Sequence, residues 1–132
     1  MSLSSRSAPP LPPRVVIVDA DRRVQQSLSD LLGVSGEVEV VGRAGDVRAA
    51  LQEVERLLPD VVLVDPRLPD VEAGEALVGG MRRAWPSMRI VLTGWSGPEG
   101  HNGQGQAGSR YVSKGSSPEA FVTAIVDACC TG

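Results

Sequence analysis

Short runs of apolar residues alternate along the chain with segments whose apolar residues recur at helical spacing. The apolar runs cover residues 15–18, 38–41, 61–64 and 90–92, with a shorter run at 111–112. Because residues 15–18, 61–64 and 90–92 are continuously apolar rather than alternating, they predict strands buried on both faces of a parallel sheet, and Glu39 interrupts the run at 38–41. We therefore expect five strands.

The segments between these runs predict amphipathic helices, because their apolar residues fall on one helical face. These faces are formed by Val24, Leu28, Leu31 and Leu32; Val47, Ala50, Leu51, Val54 and Leu58; Leu77, Met81, Ala84 and Trp85; and Phe121, Ile125, Ala128 and Cys129. Ser117 and Pro118 supply an N-cap and a proline at the first position of the last helix. Strands and helices in alternation predict an α/β fold of five βα units.

The fourth βα unit is weak, because residues 97–108 contain five glycines and Ala107 as the only aliphatic residue. Each interior glycine costs a helix about 1 kcal/mol relative to alanine. We expect the fourth helix to be short, frayed or absent, and this segment to be the most mobile internal one. Residues 103–108 read G-x-G-x-x-G, but they precede a strand instead of following one, which argues against a dinucleotide site. His101 is expected to be solvated.

Length and composition indicate one globular domain, because the chain has 132 residues, 42% of them hydrophobic. The net charge is −3 with no basic block, which argues against direct nucleic-acid binding. The absence of a long apolar run or a signal sequence predicts a cytoplasmic protein without a membrane partner. Residues 1–13, rich in serine and proline, predict a flexible tail before a domain at 14–130. The adjacent Cys129 and Cys130 suggest simple thiols rather than a disulfide framework.

Four polar residues follow or end the predicted strands. Asp19 follows the first strand, Asp65 follows the third, Thr93 ends the fourth and Lys114 comes just after the fifth. Ligands of open parallel sheets bind beyond the carboxyl ends of the strands, so these side chains should converge on one edge. Alternatively, the two aspartates simply cap turns and Lys114 pairs with one of them on the surface.

Four segments in this order resemble the receiver domain of two-component response regulators. They are residues 16–19, 62–70, 91–94 and 111–119. The resemblance implies a flavodoxin-like three-layer fold with strand order 2-1-3-4-5. Within receivers, the Lys-Gly-Ser-Ser-Pro-Glu segment is similar to a subgroup often followed by a helix-turn-helix DNA-binding domain, which points to transcription regulation.

The resemblance also implies roles for the residues at the strand ends. Asp65 would accept a phosphoryl group from a histidine kinase, with Lys114 and Thr93 contacting that group. Thr93 and Tyr111 would then switch the surface of the fourth helix, fifth strand and fifth helix, which meets an output protein or domain. Such a domain is a phosphorylation-controlled interaction module rather than an enzyme, and it could form a homodimer.

The sequence departs from the family pattern at the metal site, where receivers usually carry two adjacent acidic residues and this chain has Asp19 and Ala20. Mg²⁺ would then rest on Asp19, Asp65, the backbone carbonyl of Arg67 and waters, and we expect weak binding. Asp21 either substitutes as a ligand or caps the first helix, and the cap is favoured.

A second departure is the segment at residues 72–74, Glu-Ala-Gly, where the family tends to have glycine directly after the acidic residue. Two other functions therefore stay open beside the phosphorylated receiver. One is a phosphorylation-independent pseudo-receiver that acts as a constitutive protein-interaction module. The other is a small-ligand binder that uses the same cleft.

Overall fold

A computed structural model describes residues 11–95 and 110–130, except the side chain of Cys130. The elements in chain order are β1 (Arg14–Val18), α1 (Arg22–Ser35), β2 (Glu39–Ala44), α2 (Val47–Leu57), β3 (Val61–Val64), α3 (Val71–Ala84), β4 (Arg89–Gly94), β5 (Arg110–Ser113) and α4 (Pro118–Cys130). The strands form one parallel sheet in the order β2-β1-β3-β4-β5. The predicted fold class and strand order are confirmed.

The sheet carries a hydrophobic core on each face, as its continuously apolar strands require. In β1, Val15 and Ile17 pack on one side with Phe121 and Ile125 of α4, and α1 covers the same face. Val16 and Val18 point to the other side, where α2 and α3 pack. Successive residues of a strand alternate between faces, so a strand covered on both sides must be apolar at every position. This confirms the three-layer arrangement.

Short acidic side chains start three of the described helices at the carboxyl edge of the sheet. Asp21 Oδ1 accepts a hydrogen bond from the backbone N–H of Arg23 at 2.8 Å, which confirms the predicted cap of α1. Asp46 and Asp70 are the N-caps of α2 and α3 in the same way. Each cap satisfies an otherwise unpaired helical N–H group and fixes where the strand-to-helix loop ends.

The predicted bounds of β2, residues 38–41, are wrong. β2 runs from Glu39 to Ala44 and pairs with β1 as far as Val18 and Ala44, with an irregularity in register between Val15 and Val16. It is the edge strand and most of its side chains are only partly buried. Partners in the sheet, rather than an apolar run, therefore determine its length.

Three residues that the helical pattern assigned to apolar faces are exposed. Leu51 is 38% exposed and Leu58 is 59% exposed, and Ala84 also faces solvent. Leu58 lies beyond the last residue of α2, in a left-handed conformation with φ of 47°, so it caps the helix instead of packing beneath it. Of the other predicted residues of α2, Ala50 and Val54 are fully buried and Val47 is partly buried.

Several sequence predictions concern residues outside the described ranges. These are the tail at residues 1–10, the weak fourth helix and its mobility at 97–108, the glycine pattern at 103–108, and His101.

At the predicted start of the domain, the carbonyl of Pro13 accepts a hydrogen bond from Glu39 N at 2.8 Å. In the described part of the chain, no helix is long and apolar enough to cross a membrane.

Packing against the loop after β3 explains why glycine stands at position 74 in the 72–74 segment. A Cβ atom at this position would lie 1.4 Å from the carbonyl oxygen of Pro66, so the first turn of α3 packs directly against the loop after β3. Backbone atoms cannot move aside as a flexible side chain can. The glycine therefore lets α3 approach the loop that carries Asp65.

We predict that Gly74→Ala lowers the free energy of unfolding by about 3 kcal/mol, at the upper end of the usual cost of overpacking. Gly80→Ala is the matched control in the same helix, because a Cβ there meets nothing within 4 Å. It should stabilise the protein by up to about 1 kcal/mol through helix propensity. Urea unfolding of both variants measures this, and a Gly74→Ala protein as stable as the unsubstituted chain would contradict the packing argument.

Candidate functional site

Parallel pairing brings the four candidate residues to one edge of the sheet. Val18 pairs with Val64, and Val64 pairs with Leu92, so Asp19, Asp65 and Thr93 each lie one residue beyond this row. On the other side of β4, Gly94 pairs with Ser113 and its carbonyl accepts a hydrogen bond from Lys114 N at 2.9 Å. The predicted convergence of these residues is therefore observed.

The ammonium group of Lys114 lies between two carboxylates. Its Nζ atom is 2.6 Å from Asp19 Oδ2 and 2.7 Å from Asp65 Oδ2. The side chains of Lys114 and Asp19 are each 4% exposed and that of Asp65 is 16% exposed. This cluster is thus largely shielded from water, except on the side where Asp65 opens to solvent.

The second carboxylate oxygen of each aspartate accepts a hydrogen bond from the loop that follows it in the chain. Asp19 Oδ1 accepts a hydrogen bond from Asp21 N at 2.8 Å, and Asp65 Oδ1 accepts one from Arg67 N at 3.0 Å. The turn-capping role that sequence reasoning set against a site is therefore real, but it occupies only one oxygen of each carboxylate. The other oxygen of each faces Lys114.

The pKa of Lys114 reflects two opposing effects. Burial alone would lower it, because an ammonium group loses hydration inside the protein. Hydrogen bonds and charge from Asp19 and Asp65 outweigh this and raise the pKa of Lys114 above its ordinary value of 10.5. Lys114 therefore stays protonated at neutral pH and supplies a fixed positive charge.

Thr93, Gly94 and Tyr111 form the neighbouring side of the site. Thr93 is only 2% exposed and pairs in register with Val112. A Cβ atom at Gly94 would lie 2.8 Å from the hydroxyl oxygen of Tyr111, so the absence of a side chain lets the tyrosine ring extend over Gly94. The ring also packs against the core cluster shared with Leu92.

Trp95 lies at the mouth of the site. Trp95 is 66% exposed, and the Lys114 Nζ atom lies 5.4 Å from the centroid of its ring. This distance is within the range of a cation–π contact. The indole should therefore respond to changes in the position or charge of Lys114.

The donor set at this edge fits one magnesium ion with few protein ligands. Two carboxylates, from Asp19 and Asp65, already face a common cation, and Mg²⁺ is commonly held by one or two carboxylates together with waters and phosphate oxygens. Among the described residues, no group of three or more acidic, histidine or cysteine side chains could hold a metal ion. An acidic residue at position 20 would have supplied a third carboxylate, and Ala20 supplies none.

The remaining predicted ligands lie close by in sequence but have other contacts. Ala20 is exposed and offers only a methyl group. Asp21 uses its Oδ1 atom as the cap of α1. The backbone N–H of Arg67 points to Asp65, and its carbonyl remains a predicted ligand.

Sequence reasoning missed Gln25, which is buried beneath the β1–α1 loop. Its Nε2 atom donates hydrogen bonds to the backbone carbonyls of Asp19 at 2.7 Å and Ala44 at 3.3 Å. The signal was present, since Gln25 is a polar residue on the same helical face as Leu28 and Leu32. A second signal was missed as well: Lys114 is the only lysine among 13 basic residues.

Comparison with known proteins places this geometry in a family. The family model of the response regulator receiver domain matches residues 15–126. The chain belongs to this family. Response regulators receive phosphoryl groups from histidine kinases and act through output domains, and their receiver domains generally bind Mg²⁺ at the acidic phosphorylation site.

Individual receivers and response regulators show the same relationship. The signal receiver domain of NarL from Mycobacterium tuberculosis is 31% identical, with a TM-score of 0.74 over 91% of this chain and 98% of that one. The DNA-binding transcriptional activator DevR/DosR of the same organism is 38% identical over 87 residues, 65% of this chain and 40% of that protein. The transcriptional regulatory protein YhcZ of Bacillus subtilis is 31% identical over 110 residues, 83% of this chain and 51% of that protein.

The receiver thus spans about half the length, or less, of the curated relatives that it matches. Several relatives have an enzyme name, and one of them, a protein-glutamate methylesterase and protein-glutamine glutaminase of Nocardioides, is 41% identical over 79 residues. That match covers only 21% of the relative. It therefore carries no enzymatic activity over to this chain.

We predict that Lys114→Met lowers the free energy of unfolding at pH 7 by about 3 kcal/mol, because it leaves the buried carboxylate of Asp19 and the partly buried carboxylate of Asp65 without a cation. The raised pKa of Lys114 determines how its contribution to the free energy of unfolding depends on pH. The contribution of Lys114 is complete below pH 10.5 and is lost as the pH rises through the higher pKa of the folded state. Urea unfolding of both proteins from pH 7 into the alkaline range measures the difference.

Arg56→Met is the control, because Arg56 forms an exposed ion pair with Glu53 at 2.9 Å. Its loss should cost less than about 1 kcal/mol. A Lys114→Met protein that is no less stable than this control would contradict a buried ion cluster, as would a stability difference that persists unchanged far above pH 10.5.

Proposed function

We propose that this receiver domain accepts a phosphoryl group on Asp65 from a histidine kinase and thereby switches a protein-interaction surface. The observation that carries the proposal is the position of Lys114 Nζ, 2.7 Å from Asp65 Oδ2 and 2.6 Å from Asp19 Oδ2. Of the two aspartates, Asp65 has the more exposed side chain, so an incoming phosphodonor can reach it.

Phosphoryl transfer to Asp65 needs a free oxygen lone pair and positive charge nearby. An oxygen of Asp65 forms a bond to phosphorus while the bond between phosphorus and the imidazole nitrogen of the kinase histidine breaks, and the imidazole leaves with that electron pair. The hydrogen bond from Arg67 N to Asp65 Oδ1 holds the carboxylate in one orientation. Lys114 offsets charge on the phosphoryl oxygens, and Thr93 offers a hydroxyl to one of them.

The charges at this site explain why a metal ion would assist the transfer. Asp19 and Asp65 carry two negative charges against the single positive charge of Lys114, and a phosphoryl group adds more negative charge. Asp19, Asp65 and the carbonyl of Arg67 would hold Mg²⁺, with Asp21 as a further candidate. When bound, Mg²⁺ neutralises charge on the phosphoryl oxygens. Because Ala20 supplies no carboxylate, we propose that this binding is weak.

The switch would pass from Thr93 to Tyr111. Once a phosphoryl oxygen attracts the Thr93 hydroxyl, the space beside Gly94 changes, and the tyrosine ring that extends there must adjust. Tyr111 lies on β5, next to α4, and these elements form the described part of the proposed output face. The added charge at Asp65 would thus change the surface formed by β5 and α4.

The output partner is proposed from the relatives. DevR/DosR is named a DNA-binding transcriptional activator and YhcZ a transcriptional regulatory protein. We propose an output protein or domain that controls transcription, and possible homodimerisation as part of that output. The receiver itself would contact neither nucleic acid nor membrane and would act as a switch rather than an enzyme.

A second candidate is a pseudo-receiver that binds its partner without phosphorylation. The observation that favours it is Ala20, which is exposed at the place of an acidic ligand. In that case the Lys114 cluster would be a structural ion pair, and the interaction surface would be constitutive. Phosphorylation of Asp65 separates the two functions.

We predict that the chain, incubated with acetyl phosphate and Mg²⁺, gains the mass of one phosphoryl group, and that Asp65→Asn gains none. Asp60→Asn is the matched control: Asp60 is exposed at the opposite end of β3, where it accepts a hydrogen bond from Arg14 N at 2.8 Å. It should be labelled like the unsubstituted chain. Intact-mass spectrometry measures all three. Labelling of Asp65→Asn would refute the acceptor, and an unlabelled unsubstituted chain would favour the pseudo-receiver.

We also predict that Ala20→Asp tightens Mg²⁺ binding by about tenfold or more, because it adds both charge and a coordination position. Fluorescence of Trp95 in a Trp85→Phe background reports the titration, since Trp95 is then the only tryptophan. Ala76→Asp on the exposed side of α3 controls for the added charge alone. Equal midpoints for Ala20→Asp and the unsubstituted chain would show that another group already fills the position.

A further inference from the structure

We infer that Gln25 is a positioning residue that holds Asp19 in place for cation binding at the acidic site. The inference rests on the proposed function, because it concerns the same site. Gln25 lies in α1, is only 9% exposed, and among the described residues its side-chain amide nitrogen donates to the backbone carbonyls of Asp19 and Ala44 rather than to Asp65. It acts through the backbone of Asp19.

The β1–α1 loop needs such a contact because Asp19 lies beyond the last paired residue of β1. Its N–H still donates to the carbonyl of Ala44 at 3.0 Å, but its own carbonyl lies past the end of the ladder. The Nε2 atom of Gln25 donates to that carbonyl at 2.7 Å. A buried carbonyl without a donor is costly, so this side chain completes the end of the strand.

The orientation of the Gln25 amide follows from its neighbours. Both groups within hydrogen-bond distance of Nε2 are carbonyl oxygens, those of Asp19 and Ala44, which can only accept. The nitrogen of the amide must therefore face them. Gly45 leaves room for this arrangement, because a Cβ atom there would lie 3.3 Å from Nε2.

Asp19 is thereby held on both sides of its α carbon. Its carbonyl is fixed by Gln25, its Oδ1 by the N–H of Asp21, and the remaining oxygen, Oδ2, is directed to Lys114. In a chain with alanine at position 20, Asp19 is the only carboxylate of the β1–α1 loop that faces Lys114. Its orientation therefore determines how well this side of the site holds a cation, and Gln25 sets that orientation.

The test compares Gln25→Met with Gln26→Met. Methionine matches glutamine in length and removes the donor, whereas Gln26 is exposed and donates to Asp30 Oδ1 on the helix surface. We expect the Kd for Mg²⁺, measured by isothermal titration calorimetry, to rise by about tenfold in Gln25→Met, as for other groups that orient metal ligands. Gln26→Met should bind like the unsubstituted chain.

The kinetic readout separates positioning from a merely structural role. If Gln25 orients Asp19, the slower phosphorylation of Gln25→Met by acetyl phosphate should recover as Mg²⁺ is raised to saturation. An unchanged Kd for Mg²⁺ would overturn the inference, as would a rate that stays low at saturating Mg²⁺. Failure of the unsubstituted chain to be phosphorylated contradicts the proposed function instead, so the two proposals fail separately.

A third measurement needs no variant and covers the case in which Gln25→Met does not fold. In the unsubstituted chain, the side-chain amide protons of Gln25 should exchange slowly with solvent, and their NMR signals should shift when Mg²⁺ is added. The amide of Gln26 is the internal reference and should exchange fast. The positioning role would be refuted if the Gln25 amide exchanged as fast as that of Gln26, or if its NMR signals did not shift on addition of Mg²⁺.

Discussion

One ammonium group, that of Lys114, is shared by two carboxylates, and much of the carboxyl edge of the sheet depends on this contact. Asp19 and Asp65 follow adjacent strands, so their side chains are brought close together by the strand register alone. Like charges so close destabilise each other unless a cation lies between them. Lys114 reaches them from the far side of β4 and ties β1, β3 and β5 together.

Hydrogen bonds between side chains and backbone hold the residues of the cluster in place. Each aspartate gives one oxygen to the loop that follows it and one to Lys114. Gln25 fixes the carbonyl of Asp19, and the close contact of Gly74 with Pro66 fixes the loop after Asp65. The groups that would bind a cation are therefore placed by hydrogen bonds and packing before any ligand arrives, which is the general requirement for a preorganised site.

The use of lysine at position 114 follows from the geometry. All other basic residues of the chain except the histidine are arginines. An ammonium group is a compact charge that fits between two carboxylate oxygens, whereas a planar guanidinium favours side-by-side pairing with one carboxylate. The same compactness would let Lys114 contact an additional anionic oxygen, as the proposed phosphoryl transfer to Asp65 would require.

The fold class follows from the sequence, because short apolar runs that alternate with amphipathic helical segments favour a parallel sheet covered by helices on both faces. The sequence also determined which polar residues would meet, since Asp19, Asp65, Thr93 and Lys114 stand at the ends of parallel strands. It did not determine the length of β2, which follows from its pairing with β1, or the exposure of Leu58, which ends a helix in a left-handed conformation.

Only the tertiary structure decided how the site is held. Hydrogen bonds from Gln25 to the carbonyls of Asp19 and Ala44 join residues 6 and 19 positions apart, and the contact of Gly74 with Pro66 depends on the approach of a helix to a loop. Hydrophobic periodicity records which face of an element is buried, and it carries no information about such polar and backbone contacts. The polar residues at the strand ends can therefore be identified from this sequence, whereas the contacts that orient their side chains exist only once the chain has folded.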